Sequence, residues 1–242
     1  MLDKGKPPEE LLITAILPIP KGNQTFSPEN SRGISILPVV TKLYNRLLLN
    51  RIKDHIEPQL RYNQNGFRPG RGTREHILAL RRIIEEVINH HLPCVMTFID
   101  FSKAFDSITR SHLPEILAHY GIPKTIIKAI LSLYANTKAK VITPEGTILE
   151  FLTNLGILQG DVLAPLIFII VLDYILCLAL PPGSNLGIQV KNDNIADLEF
   201  ADDIAAISSN LKDNSTLCQR ICLLYTSPSP RDRTRSRMPS SA

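Results

Sequence analysis

The chain has few of the features of a secreted or membrane protein. It contains only four cysteines, and none of them forms a CxxC pair, so no metal-binding or redox cysteine motif is indicated. Cys94 and Cys177 lie in apolar runs, where a thiol is usually an inert part of the core. Residues 1–12 are charged and contain proline, which does not match the apolar segment of a signal peptide. We therefore expect a reduced, intracellular protein.

The sequence also lacks an apolar run long enough to cross a bilayer. The longest such run, residues 166–180, is interrupted by Asp173 and followed by Pro181 and Pro182, whereas a membrane helix needs about 20 apolar residues. This run predicts a buried helix, and we expect no membrane partner. The 242 residues are 44% hydrophobic and 21% charged, which is typical of one large globular domain or two small ones.

Positive charge is concentrated near the end of the chain. The formal net charge is +4, of which +3 falls on residues 231–242. Hydrophobic patterning stops at about Cys222, and the segment 222–242, rich in serine, proline and arginine, resembles a translated sequencing-library adapter. We expect it to be disordered, with a polar leader at 1–10 and the domain at 11–221. The alternative is a natural basic tail that binds nucleic acid.

Periodicity predicts helices and strands that together form an α+β fold. One helix ends at Pro58, and its expected buried face is Leu43, Leu47, Leu48, Ile52 and Ile56. A second covers residues 73–90, with Ile77, Leu80, Ile84, Val87 and Ile88 on its buried face. Further helices are predicted at 111–121, 124–135 and 164–180. Strands are predicted at 11–20, 94–100, 138–143, 148–152, 188–190 and 198–208.

Two acidic elements indicate chemistry. Asp202 and Asp203 lie between apolar residues and predict the tip of a β-hairpin, while Asp100 ends the apolar run 94–100. Like charges on a rigid turn repel each other, and a bound cation relieves this repulsion. An Asp-Asp pair alone is usually a solvated turn, and periodicity does not show that the two elements are neighbours.

The order of five motifs resembles that of a reverse transcriptase, and more narrowly that of non-LTR (LINE-type) retrotransposons. The motifs are Arg32-Gly33-Ile34-Ser35, Gly66-Phe67-Arg68-Pro69-Gly70, Asp100 to Asp106, Gln159-Gly160-Asp161 with Ala164-Pro165, and Phe200-Ala201-Asp202-Asp203. The resemblance covers residues 16–208. It implies the fingers and palm of the right-hand polymerase fold, with an antiparallel palm sheet backed by helices and the thumb missing.

The resemblance implies an RNA-directed DNA polymerase that uses an RNA template, a DNA primer and dNTPs. Two Mg²⁺ ions, or Mn²⁺ as an alternative, would be held by Asp100, Asp202 and Asp203, because Mg²⁺ prefers carboxylate oxygens. Asp106 also matches a family position, where we expect a structural acid rather than a metal ligand.

Nucleotide and template contacts are also implied by the resemblance. Phe105 would exclude a 2′-hydroxyl by steric collision, Gln159 and Gly160 would position the incoming nucleotide, and Lys21 and Arg32 would hold its triphosphate. Arg68 and Arg71 would contact template phosphates. Two positions depart from the family pattern, in that Ser31 replaces a tyrosine and Ala164 replaces a serine.

Three other interpretations stay open. An RNA-dependent RNA polymerase is disfavoured by Phe105 and by Ala201, since those enzymes usually have a polar or small group and a glycine at these positions. A decayed or domesticated fragment that only binds RNA and a group II intron-type polymerase are the others. Without a thumb, we expect this chain alone to be inactive, because phosphate contacts supply most of the affinity for nucleic acid. The oligomeric state is left open.

Overall fold

The computed structural model describes residues 7–20, 31–101, 103–143, 146–147, 150–191 and 193–226. The chain divides into two compact units. The first unit comprises Met1–Gln59 and Lys103–Ile170, and the second comprises Leu60–Ser102 and Val171–Ala242. Each unit is therefore assembled from two separate stretches of sequence.

Most predicted elements are present, but the strands Ser31–Ile36 and Asp193–Ile195 and the helix Leu211–Thr226 were not predicted. The α-helices within the described residues are α1 Val39–Ile56, α2 Thr73–Asn89, α3 Leu113–His119, α4 Lys124–Tyr134, α5 Ala164–Ala179 and α6 Leu211–Thr226. The β-strands there are β1 Ile13–Pro20, β2 Ser31–Ile36, β3 Val95–Ile99, β4 Lys138–Thr143, β5 Gly146–Thr147, β6 Phe151–Leu152, β7 Ile188–Val190, β8 Asp193–Ile195, β9 Asp197–Phe200 and β10 Asp203–Ser208. Short 3₁₀ helices cover Glu9–Leu12, Glu57–Gln59 and Arg110–His112.

The first unit combines a mixed sheet with a helical core. Its strands lie in the order β2-β1-β4-β5, with β6 also on β4. Strand β1 is antiparallel to β2 and parallel to β4. The helical core contains fully buried Leu48, Ile52, Leu117 and Ile130 from α1, α3 and α4.

The buried face of α1 differs from the predicted one. Leu48, Ile52 and Ile56 are buried as expected, but Leu43 and Leu47 are 62% and 60% exposed. Thr41 and Asn45 are buried instead, because each side chain has a hydrogen-bonding partner inside the unit. Apolar spacing alone does not reveal such polar partners.

The second unit is built on a three-stranded antiparallel sheet with the order β3-β10-β9. Ile83 of α2 packs with Ile188, Leu198, Ala205 and Ile207, and Leu80 and Val87 lie against this cluster. The predicted face of α2 is wrong in part, since Ile77 and Ile88 are both 64% exposed and Ile84 is 39% exposed. Helix α6 packs on β10 and β3.

The end of the described chain is helical beyond the predicted boundary. Helix α6 runs to Thr226, five residues past the predicted end of the domain at 221, and the disordered tail stays a prediction. Ile221 is fully buried, and the ring of Tyr225 stacks on Phe101 at 3.9 Å. These contacts extend the helix, while residues 227–242 lie outside the described residues.

Two predictions about apolar segments have different outcomes. Helix α5 confirms the expected helix in the apolar run, and none of the helices in the described ranges combines the length and hydropathy needed to cross a membrane. The thiol of Cys94 is half-buried, but Cys177 is exposed. The expectation of a core thiol is therefore wrong for Cys177, although its thiol donates to the buried Asp173 at 3.8 Å.

Candidate functional site

The β9–β10 hairpin presents an acidic turn. Phe200 pairs with Asp203, so Ala201 and Asp202 are the two residues of the turn. Ala201 has φ +55°, a left-handed conformation that costs an L-residue roughly 1–2 kcal/mol. The predicted hairpin is confirmed. Asp202 is half-buried and Asp203 is exposed.

Strand register brings the third acidic residue to the same end of the sheet. Strand β3 pairs with β10, and the terminal pair is Ile204 with Ile99. Asp203 and Asp100 each lie one residue beyond that pair, and Asp100 is exposed. The second unit therefore places Asp100, Asp202 and Asp203 at one end of its sheet. The two acidic elements, which are far apart in sequence, are thus neighbours in the fold.

The donor set of this end of the sheet suits a hard divalent cation. It consists of carboxylates, which Mg²⁺ prefers over thiols and imidazoles. In the part of the chain that the structure describes, no three His, Cys, Asp or Glu side chains converge closely enough to surround an ion. The strand register therefore brings the three aspartates to one end of the sheet, while their side chains do not converge on one point.

A loop before α2 lies directly against the acidic turn. The backbone N–H of Glu199 donates to the Asn63 carbonyl at 3.1 Å, and that of Asn65 donates to the Glu199 carbonyl at 2.9 Å. A Cβ atom on Gly66 would lie 2.1 Å from the Ala201 nitrogen. Because no side chain fits in this space, the first glycine of the predicted Gly66–Gly70 motif lets the loop contact the turn.

Gln64 lies between this loop and the turn and is fully buried. Its amide oxygen accepts hydrogen bonds from the backbone N–H groups of Gly66 at 2.7 Å and Ala201 at 2.9 Å. Its amide nitrogen donates to the Ala201 carbonyl at 3.3 Å and to Glu199 Oε2 at 3.2 Å. Gln64 was not among the predicted site residues, since a polar residue in a loop carries no periodic signal.

A buried ion network lies below the turn. The Arg61 guanidinium donates to Asp197 at 2.6 Å and to Glu199 at 2.9 Å, and both carboxylates are at most 1% exposed. The Arg61 backbone N–H donates to Asp173 Oδ1 at 2.8 Å, which explains an acidic residue in the apolar run of α5. The positive charge of Arg61 offsets part of the hydration that these two carboxylates lose on burial.

The two carboxylates of this network titrate differently. Burial raises the pKa of Glu199 well above its usual value, and the hydrogen bond to Asp197 and its charge raise it further. Burial alone would raise the pKa of Asp197, but the hydrogen bond with Glu199 and the charge of Arg61 outweigh it and lower this pKa. The two pKa values are therefore shifted in opposite directions, that of Glu199 upward and that of Asp197 downward.

One feature of this ion network is visible in the sequence. Asp197 and Glu199 are two positions apart on one strand, so they point to the same face. That face proved to be buried, and two acids on a buried face require a cation. Nothing in the sequence pattern identifies Arg61 as that cation.

The side chains of the two arginines predicted to contact the template make hydrogen bonds within the protein. Arg68 is 7% exposed, and its Nη1 donates to the carbonyls of Arg61 at 2.7 Å and Gln64 at 3.2 Å. Arg71 lies over the ring of Tyr62 at 4.6 Å and donates to the Tyr62 carbonyl at 2.5 Å. Both stabilise the loop, and a template contact stays a prediction for each.

In the first unit, the Gln159-Gly160 motif docks on β2. The Ser35 N–H donates to the Gln159 carbonyl at 2.7 Å. Gly160 has φ +110°, and a Cβ atom there would lie 2.6 Å from the Ser35 carbonyl oxygen. Arg32 lies on the same strand, paired with Ile19, and is exposed. Lys21, the other predicted triphosphate ligand, lies outside the described residues.

Asp161, the last residue of that motif, is buried among neutral donors. Asn45 Nδ2 donates to Asp161 Oδ1 at 2.7 Å, the Tyr134 hydroxyl donates to Oδ2 at 3.4 Å, and the Leu163 N–H donates to Oδ1 at 3.3 Å. Burial raises the pKa of Asp161 despite these hydrogen bonds. The carboxylate therefore anchors the loop rather than reaching solvent.

Phe105 and Asp106 also lie in the first unit. The Phe105 ring is half-buried and stacks on Phe168 at 4.7 Å with an interplanar angle of 14°. The backbone of Asp106 closes a turn onto the Lys103 carbonyl at 2.9 Å, and a Cβ atom on Gly156 would lie 2.7 Å from Asp106 Cα. Burial raises the pKa of the Asp106 carboxyl. Asp106 is nevertheless exposed, and its role as a structural acid stays a prediction.

Comparison with known proteins identifies the family. A family model described as reverse transcriptase (RNA-dependent DNA polymerase) matches residues 19–224. The chain is 28% identical over 200 residues to the retrovirus-related Pol polyprotein from type-2 retrotransposable element R2DM of Drosophila melanogaster, with 83% of the chain and 18% of that protein covered. It is 30% identical over 206 residues to the Pol polyprotein from type-1 retrotransposable element R2 of Nasonia vitripennis, with 84% and 19% covered. The chain spans less than one fifth of the length of both relatives.

Solved structures show the same fold. Telomerase from Candida albicans, in complex with a TWJ fragment of telomeric RNA, superposes with a TM-score of 0.62 at 11% identity, covering 96% of this chain and 43% of that one. Apo telomerase from Candida tropicalis, truncated from its C-terminal domain, gives 0.58 at 14% identity, covering 93% and 49%. The right-hand polymerase fold is therefore confirmed. The chain belongs to the reverse transcriptase (RNA-dependent DNA polymerase) family, and its relatives are of the non-LTR retrotransposon type.

Proposed function

We propose that this chain carries the catalytic centre of an RNA-directed DNA polymerase. The observation that carries the proposal is the strand register, which places Asp100, Asp202 and Asp203 at one end of an antiparallel sheet. Family membership supplies the reaction class. A fragment that only binds RNA is not favoured, because all three carboxylates are present.

The reaction joins a deoxynucleotide to a primer. The primer 3′-oxygen forms a bond to the α-phosphorus, the bond from that phosphorus to the pyrophosphate oxygen breaks, and the hydroxyl proton is released. Negative charge develops on the attacking and leaving oxygens. Two bound divalent ions, Mg²⁺ or alternatively Mn²⁺, would supply positive charge at both oxygens. Asp100, Asp202 and Asp203 would hold these ions, since their carboxylates are the hard donors at this end of the sheet.

Selection of the sugar is proposed for Phe105. Stacking on Phe168 fixes the ring, so it would act as a rigid barrier to a 2′-hydroxyl rather than as a hydrogen-bonding group. Gln159 and Gly160 would position the incoming nucleotide from the loop that docks on β2. Arg32, which is exposed, and Lys21 would neutralise its triphosphate.

The proposed partners are an RNA template and a DNA primer. One structural neighbour is a telomerase in complex with a fragment of telomeric RNA, and the matching family is one of RNA-dependent DNA polymerases. We propose that the chain alone extends primers poorly, because it spans less than one fifth of its relatives and phosphate contacts supply most of the affinity for nucleic acid.

Primer extension tests the function. A longer polyprotein that contains this domain is supplied with an RNA template, a labelled DNA primer, dNTPs and Mg²⁺. Asp202→Asn should reduce extension to background, because it removes a metal-binding charge. Asp193→Asn, which changes an exposed acid of the same unit, should leave the rate within about twofold, as surface changes usually do. Full activity of Asp202→Asn, or equal losses in both variants, would refute the assignment.

A further inference from the structure

The acidic turn is held by a side chain that does not belong to it. Gln64 bonds both the N–H and the carbonyl of Ala201, the residue immediately before Asp202. Its two amide hydrogens and its amide oxygen are all used, which satisfies the full donor capacity of a glutamine. A fully buried glutamine with these bonds defines the position of the Ala201 backbone.

The turn requires this support because its own residues do not favour its shape. Ala201 has φ +55°, where hairpins usually have glycine, asparagine or aspartate. The backbone of Gly66 approaches the turn to a distance that excludes any side chain. The conformation of the turn therefore depends on the loop that carries Gln64 and Gly66.

Gln64 also connects the turn to the buried ion network. Its Nε2 donates to Glu199 Oε2 at 3.2 Å, and Glu199 accepts from Arg61 at 2.9 Å. Glu199 lies on strand β9 and is held there by Arg61. The hydrogen bond to Glu199 therefore fixes the position of the Gln64 amide. Hydrogen bonds thus link Arg61 to Glu199, Glu199 to Gln64 and Gln64 to Ala201. One peptide unit joins Ala201 to Asp202.

We propose that Gln64 is a positioning residue for the acidic turn, holding Ala201 so that the carboxylates of Asp202 and Asp203 stay where they bind divalent metal. This inference rests on the proposed function of those aspartates. Gln64 itself touches neither metal nor substrate, since it is buried behind the turn. Its effect on catalysis passes through the backbone of Ala201.

Hydrogen exchange and Mn²⁺ binding on the chain test the proposal together. Gln64→Met keeps the length of the side chain and removes its hydrogen bonds, so the amides of residues 201–203 should exchange at least tenfold faster. Mn²⁺ affinity, measured by electron paramagnetic resonance, should fall about 10–100-fold, as for other residues that orient metal ligands. Gln189→Met, an exposed glutamine of the same unit, should change neither quantity.

A purely structural role predicts another pattern. It would accelerate exchange along the whole of β9 and β10, including Ile204 and Ile207, whereas positioning confines the acceleration to the turn. Unchanged exchange at the turn, or faster exchange there with unchanged Mn²⁺ affinity, would overturn the proposal. If Asp202→Asn does not weaken Mn²⁺ binding, the proposed function fails, while hydrogen exchange still decides whether Gln64 holds the turn.

Gln64→Glu provides a second variant if the first does not fold. It keeps the acceptor for the N–H groups of Gly66 and Ala201 but loses the donors, and it places a carboxylate beside Glu199. Its exchange rate at the turn, relative to wild type, should fall as the pH is lowered from 8 to 5, because a protonated carboxyl regains one donor. A ratio independent of pH would contradict the role of the amide donors.

Discussion

Two buried polar centres in the described residues hold loops in place, one in each unit, and they are built differently. In the first unit, Asp161 is held by neutral donors from Asn45, Tyr134 and the Leu163 backbone. In the second, Asp197 and Glu199 are held by the cation of Arg61. Both centres lie far from solvent, with the carboxylates at most 4% exposed.

The difference has a direct electrostatic consequence. Burial raises the pKa of Asp161, and neutral donors compensate only in part. In the second unit, the full positive charge of Arg61 opposes the effect of burial, and the pKa of Asp197 is lowered while that of Glu199 stays raised. Neutral donors thus offset the burial of a carboxylate only in part, whereas the ion-paired centre depends strongly on the cation of Arg61.

Removal of that cation should have the largest effect. Arg61→Met keeps the bulk of the side chain and leaves two buried carboxylates without their cation, so the free energy of unfolding should fall by about 3–5 kcal/mol. Urea unfolding followed by circular dichroism measures this. Arg82→Met, which removes an exposed ion pair with Glu85, should cost less than about 1 kcal/mol. Similar losses in both variants would show that the buried network does not stabilise the unit.

The close approach of the loop to the acidic turn predicts the next effect. Gly66→Ala places a methyl group 2.1 Å from the Ala201 nitrogen, where only backbone movement makes room. The expected loss of stability is about 3 kcal/mol, at the upper end for overpacking. Gly70→Ala is the matched control, because nothing lies within 4 Å of its Cβ position. The only expected cost comes from the φ of +70°, which favours glycine, and it should be roughly 1 kcal/mol. Calorimetric melting of both variants compares them, and equal costs would argue against the contact.

A smaller effect is expected for the neutral donor of the first unit. Asn45→Ala leaves Asp161 without its 2.7 Å hydrogen bond, which should cost about 1–3 kcal/mol. Asn50→Ala changes an exposed residue of the same helix and corrects for helix propensity. Urea unfolding of the two variants gives the difference. A cost for Asn45→Ala no greater than for Asn50→Ala would mean that the other donors suffice.

Local features of the fold could be predicted from the sequence. The bounds of α4, α5 and β4, and the acidic hairpin, follow from apolar runs bounded by proline, glycine or charge. The partner of that hairpin could not be predicted from periodicity, because pairing of β3 with β10 joins residues about a hundred positions apart. The resemblance of the motif order supplied that step.

The predictions failed where a polar contact decides which residues are buried. Asn45 is buried since it reaches Asp161, 116 positions away, and its burial turns Leu43 and Leu47 toward solvent. The buried position of Gln64 likewise depends on its hydrogen bonds to a turn 137 positions away. Neither contact leaves a trace in local sequence. The nucleotide roles of Arg32, Phe105 and Gln159 stay predictions.

The smallest expected effect is a difference between the two centres in how their contribution to stability depends on pH. Since the pKa of Asp161 is raised in the folded state, folding favours its protonated form, and this group adds stability as the pH falls through its folded pKa toward the unfolded value of 3.8. Wild type should therefore gain stability relative to Asp161→Asn as the pH is lowered toward about 4, measured by urea unfolding at each pH. The ion-paired Asp197 has a lowered pKa, so its contribution is present above its unfolded pKa and is lost as the pH falls through the folded one. A difference between wild type and Asp161→Asn that stays constant with pH would show that neutral donors hold a buried carboxylate as well as an arginine does.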